Sequence, residues 1–146
     1  RFELDIKNED MDRENGRDKR AKRYENDDMV APPASGSADY DAMIIVPCSM
    51  GSVGRIVSGT SSDLIGRAAD VMLKERRPLL LVVRESPLST IHLRNLTTLS
   101  ECGAIIVPAS PSFYSHPADI DALCDTMIER VFKLLGLPGK RYEWPG

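Results

Sequence analysis

An Arg-Glu pair, Arg84-Glu85, directly follows the apolar run Leu79-Leu-Leu-Val-Val83. Arginine can grip a phosphate with two parallel hydrogen bonds. A glutamate beside it can act as a general acid or base if its surroundings tune its pKa. The alternative reading is a structural ion pair that caps the next loop. A second set, Ser49, Gly51 and Ser52, follows another apolar run and precedes an expected helix. Its hydroxyls and backbone N–H groups can hold a phosphate or a flavin edge, or simply form a Gly/Ser-rich turn. A third segment, Pro108-Ala-Ser-Pro-Ser-Phe-Tyr114, offers small hydroxyl residues and an aromatic phenol.

Other polar residues invite plainer readings. Lys74-Glu-Arg-Arg77 suits a solvated helix end, and Arg130 alone a helix surface. His92 and His116 have no second ligand at metal spacing and suit surface or capping roles. Cys48 follows a strand, where a nucleophile can sit. No His or Asp stands in a recognisable relation to it, which favours a small packed residue.

The elements that must position these residues are legible as hydrophobic pattern. Met43-Ile-Ile-Val46, Leu79–Val83 and Ala104-Ile-Ile-Val107 are short, wholly apolar runs, as expected of strands covered on both faces. Asp63–Arg76, Ser89–Cys102 and Asp119–Leu135 read as amphipathic helices, with Ser89 as an N-cap and Gly103 and Gly136 as stops. Strands alternating with helices predict an α/β doubly wound parallel sheet. Ligands of such sheets bind beyond the C-terminal strand ends, where the three segments above converge.

Composition limits the alternatives. The chain has 146 residues, enough for one domain, with 42% hydrophobic residues and a net charge of −3. Residues 1–30 hold 18 of the 41 charged residues, so the core must come from the remainder. The acidic balance gives no general pull toward nucleic acid, and the basic stretch Arg17–Arg23 is surrounded by acidic residues. No apolar run approaches the roughly 18–20 residues of a membrane span. Cys48, Cys102 and Cys124 are odd in number and form no C-x-x-C pair, which suits a reducing cytoplasm. Residues 1–23 read as a charged, flexible segment or irregular helix, although Phe2, Leu4 and Ile6 alternate like a short strand. Residues 24–137 read as the folded domain, Ala31–Ser37 within it as loop, and residues 138–146 as an irregular tail.

Several segments together resemble the flavin prenyltransferase (UbiX-type) family, formerly described as aromatic acid decarboxylases. They are Ala34–Ser37, Met43–Met50, Arg67–Val71, Leu73–Pro78, Val83–Leu88, His92-Leu93 and Pro108–Tyr114, in family order and spacing. The resemblance implies a flavodoxin-like (Rossmann-like) fold and a homo-oligomer, often a dodecamer. It implies reduced FMN as prenyl acceptor, dimethylallyl phosphate as donor and no metal. A UbiD-type decarboxylase, in ubiquinone synthesis or aromatic acid decarboxylation, would receive the prenylated FMN. By position, Ser49, Met50, Gly51, Ser52 and Arg84 correspond to FMN-contacting residues. Lys74, Arg84, Tyr114 and Arg130 correspond to the group around dimethylallyl phosphate. Glu85, with Lys74, corresponds to the catalytic pair, Glu85 moving the proton. Arg67 belongs to the same motifs without an assigned role.

One family feature is not found. Members open with a strand and a Gly-Ala-Ser-Gly-type loop that holds the FMN phosphate and supplies a serine. The expectation is therefore a domain without its N-terminal portion. A truncated fragment, a short homologue that binds FMN poorly, and a missing half supplied by another polypeptide all fit. A related reading is a catalytically silent subunit bound to a decarboxylase. A three-stranded sheet would leave an exposed edge, so an unstable or oligomeric chain is expected.

Overall fold

The computed structural model describes residues 22–137, together with the backbone of two short strands, β1 (Met11–Asp12) and β2 (Arg17–Asp18). These two pair antiparallel, with Met11 opposite Asp18. The possible strand at Phe2–Ile6 and the tail 138–146 lie outside the described residues.

The sheet that organises the domain has three parallel strands in the order β3 (Met43–Cys48), β4 (Leu79–Val83) and β5 (Ile105–Pro108). Met43 stands opposite Leu79, and Leu80 opposite Ile105. All five β4 residues are buried, as their uninterrupted apolar run requires of a central strand. Alternation along β4 divides the core. Leu79, Leu81 and Val83 face α1 (Met50–Val57), α2 (Leu64–Lys74) and α3 (Thr90–Glu101), meeting Val53, Ala68, Ala69, Met72 and Leu99. Leu80 and Val82 face the opposite way, onto Met127, Val131 and Leu134 of α4 (Ile120–Leu134). Both faces are therefore covered, and the α/β expectation holds.

Each helix begins on a side-chain cap, a contribution of about 1 kcal/mol apiece. Ser49 accepts from Ser52 N–H, Asp63 from Gly66 N–H and Asp119 from Ala122 N–H. Ser89 and His92 form a reciprocal capping box, which gives His92 its capping role. Gly103 and Gly136 follow their helices with φ of +100° and +68°, conformations that favour glycine.

Two local readings need correction. Gly51 and Ser52 do not form a turn: α1 starts at Met50, so they occupy its first helical turn behind the Ser49 cap. Ala31–Ser37 is more structured than a plain loop, with 3₁₀ turns at Pro32–Ala34 and Gly36–Ala38. Arg67 Nε donates to the Ala34 carbonyl, and Arg77 donates to the Gly36 and Tyr40 carbonyls and to Asp39. Upstream, the Asn26 carbonyl and side chain accept from Leu64 and Ile65 N–H at the start of α2. The segment before β3 is thus held by contacts 33–41 residues apart in sequence, which no local pattern encodes.

Candidate functional site

The C-terminal ends of the three strands carry a group of exposed or half-buried polar residues. After β3, Ser49 Oγ lies 3.1 Å from Ser52 Oγ, and both hydroxyls are accessible. The Ser52 amide is taken by the cap and Val53 N–H by the Ser49 carbonyl, whereas the Met50 and Gly51 amides have no partner among the described residues. These two N–H groups and two hydroxyls form a donor set at the positive end of a helix, suited to acceptor atoms. Gly51 is exposed, and a Cβ there would meet only Ser49 Oγ, at 3.7 Å. The fold itself does not require glycine here; close approach of a ligand to the backbone would. Met50 is buried, so its side chain belongs to the core and only its backbone faces this edge.

After β4, Arg84 and Glu85 are both exposed. Glu85 accepts from the Ser86 N–H at 3.2 Å. Neither joins an ion pair among the described residues, so the reading of the two as a structural ion pair does not hold. After β5, Ala109 N–H donates to the Val83 carbonyl, joining this loop to the end of β4. Ser112 N–H donates to Thr126 Oγ1 and anchors the loop on α4. Phe113 and Tyr114 are 69% and 77% exposed and line a shallow hollow with Ser110, Ser112 and His116.

Not every expected residue joins this edge. Lys74 ends α2, just before β4 begins, so the length of β4 separates it from Arg84: five residues at about 3.3 Å each. There Lys74 Nζ bonds the Glu75 carboxylate and holds its pKa below the usual carboxylate range. Arg130 is exposed on α4, ten residues after Ile120, or about 15 Å along the helix as it runs back from the edge. Arg67 is committed to Ala34 and Asp70. The structure thus gathers Ser49, Gly51, Ser52, Arg84, Glu85 and Tyr114, and leaves Lys74 and Arg130 elsewhere.

Cys48 is buried, and burial pushes its thiol up to about 11, partly offset by the Arg55 charge. A thiol so placed is a poor source of thiolate and serves packing. Arg55 itself was not singled out by its sequence context. Its Nη2 lies 3.4 Å from Ser52 Oγ and 3.7 Å from Asp63 Oδ2. The signal available was the spacing: three residues after Ser52, on one helix face. At the opposite edge of the sheet, a groove of about 420 Å³ is lined chiefly by Pro33, Tyr40, Met43, Ile44, Met72 and Leu135. It holds none of the expected site residues.

A parallel, doubly wound sheet with an acceptor-binding helix terminus at its C-terminal edge is the architecture of flavodoxin-like proteins. The sequence matches the Flavoprotein family over residues 5–135. It is 50% identical over 115 residues to the flavin prenyltransferase UbiX of Pseudomonas aeruginosa, covering 79% of this chain and 55% of that protein. The structure resembles that of AnUbiX (PadA1) in complex with FMN and dimethylallyl pyrophosphate, with a TM-score of 0.77 and 47% identity over 82% of this chain and 65% of that one. It also resembles a dodecameric FMN-dependent UbiX-like decarboxylase of Escherichia coli O157:H7, with a TM-score of 0.78, 45% identity and the same coverages. The chain belongs to the flavin prenyltransferase family. It spans about half to two thirds of the length of the curated relatives it matches. No helix among the described residues is long and apolar enough to cross a membrane.

Proposed function

We propose that this chain carries the prenyl-transfer edge of a flavin prenyltransferase. It would bind FMN and take a dimethylallyl group from dimethylallyl phosphate onto the reduced flavin. The observation that carries this reading is the solvent-accessible set Ser49, Gly51, Ser52, Arg84 and Glu85 at one sheet edge, in a chain closely similar to a protein solved with FMN and a dimethylallyl donor. The donor set at α1 fits a flavin edge, whose carbonyls and ring nitrogens accept hydrogen bonds. Reduced FMN, when bound, would supply the electron-rich ring that attacks the allylic carbon as its bond to phosphate breaks.

The chain's own residues then take these roles. Ser49, Ser52 and the amides of Met50 and Gly51 orient the flavin. Arg84 gathers the charge that develops on the departing phosphate, and the Tyr114 phenol assists from the β5 loop. Glu85 accepts the proton released when the second ring bond forms. Lys74 and Arg130 complete the phosphate pocket only if another copy brings its own to this edge, because one copy places Lys74 beyond the far end of β4. We therefore propose a homo-oligomer, with a dodecamer as the form suggested by the E. coli relative. The product would pass to a UbiD-type decarboxylase in the cytoplasm, where free Cys48, Cys102 and Cys124 stay reduced.

The test is direct. The purified chain should bind FMN and, under reducing conditions, change the flavin spectrum on addition of dimethylallyl phosphate. An absence of flavin binding would overturn the proposal.

A further inference from the structure

The loop that carries Tyr114 is tied to α4 by a threonine hydroxyl. Pro108 ends β5, and Pro111 and Pro117 fix φ on either side of the Phe113–His116 turn. In that turn His116 N–H donates to the Phe113 carbonyl, and His116 has a φ of +49°. A residue with a Cβ is disfavoured there, and the conformation persists where neighbouring contacts hold it. Phe113 and Tyr114 are too exposed for burial alone to set where the loop stands. Thr126 is half-buried on α4, fourteen residues from Ser112. Its one proton goes to the Leu123 carbonyl at 2.7 Å, and a lone pair of the same oxygen accepts the Ser112 N–H at 3.0 Å. A hydroxyl can make both bonds at once, so the helix backbone orients the oxygen and the oxygen holds the loop. Tyr114 stands two residues beyond Ser112, and the two line the same hollow.

We propose that Thr126 is a positioning residue for Tyr114, holding the β5 loop where the phenol can reach the phosphate of the allylic donor. The inference rests on the role given to Tyr114 above. Thr126 acts through Ser112 and the turn that follows it, not on the substrate. Ser112 is exposed, so water replaces the threonine when its hydroxyl is lost. The loss then falls on the loop's position and hardly on the stability of the domain. Its effect must also vanish once Tyr114 has no hydroxyl to position, and the flavin contacts at α1 must not feel it.

A double-mutant cycle on the full chain tests this, with kcat/KM for dimethylallyl phosphate and FMN affinity measured side by side. Thr126→Val keeps the shape and removes the hydroxyl. It should lower kcat/KM by about threefold to tenfold, the worth of one hydrogen bond, and leave FMN affinity within about twofold. Thr126→Ser, which keeps the hydroxyl, should hold kcat/KM near that of the unaltered chain. In a Tyr114→Phe background, Thr126→Val should change kcat/KM by less than about twofold. Without any ligand, hydrogen exchange in a peptide covering Ala109–Pro117 should quicken in Thr126→Val, with peptides across Cys48–Gly54 unchanged. Thermal melts identify a variant that fails to fold; Thr126→Ala then replaces Thr126→Val, with the same outcomes expected. Equal losses in both Tyr114 backgrounds, no loss in Thr126→Val, or unchanged exchange in the loop would overturn the inference and leave the flavin reading standing. A chain that does not bind FMN at all would overturn both.

Discussion

Arg77 and Arg84 stand at opposite edges of the sheet, and the fold treats them in opposite ways. At the N-terminal edge, Arg77 spends its guanidinium on two carbonyls and Asp39, and Arg67, on α2, donates to Ala34 and pairs with Asp70. Lys74 is likewise engaged by Glu75. At the C-terminal edge, Arg84 is exposed and joins no ion pair among the described residues. A cation that the fold uses is a structural clamp. One that the fold positions rigidly, straight after a fully buried strand, and then leaves alone is available to a ligand. The contrast separates basic residues that look alike in the sequence.

The comparison breaks most readily at Glu85. Glu85→Gln should lower turnover by about 10²–10⁴-fold, in keeping with loss of a positioned base, while FMN still binds and the melting curve stays put. Unchanged turnover would remove Glu85 from its role. Next comes the core that fixes Arg84 in place. Leu81→Ala, at a fully buried β4 site, should cost about 2–5 kcal/mol in denaturant unfolding. A smaller cost would mean that β4 is not the rigid support described.

Arg77→Ala sharpens the contrast from the other side. It should destabilise by about 1–3 kcal/mol, because two carbonyls and a carboxylate lose a partly buried charged donor, and leave FMN affinity within twofold. An FMN defect in a stable Arg77→Ala protein would place that arginine in the site. The smallest effect concerns Glu75, whose pKa is lowered chiefly by its hydrogen bond to Lys74. A lowered folded-state pKa gives stability that is present above the unfolded value and lost as pH falls through the folded one. Lys74→Met should flatten that acid-side slope slightly in pH-dependent melts. An unchanged slope would show that Lys74 is free of Glu75 in solution.

How much of this was legible in the sequence depended on range. The three strands and the Ser89 and Gly103 boundaries were readable because apolar runs and caps are local signals. Arg84 and Glu85 were readable as an edge pair because a buried strand ends just before them. The first turn of α1 was misread because Gly and Ser suggest turns, while the Ser49 cap that starts the helix is a matter of side-chain geometry. The clamping of residues 31–40 by Arg67 and Arg77 depends on contacts across more than 30 residues, beyond any periodicity. Resemblance carried Lys74 and Arg130 to the site by position alone. It could not say that a single copy holds Lys74 at the far end of the sheet.

The central claim is that the ligand occupies the C-terminal edge and not the apolar groove at the other. Hydrogen exchange read by mass spectrometry, on the full chain with and without FMN, distinguishes them. The account predicts slower exchange in peptides covering Cys48–Gly54 and Val83–Leu88, with peptides across Pro33–Ile44 unchanged. Protection confined to Pro33–Ile44 would contradict it.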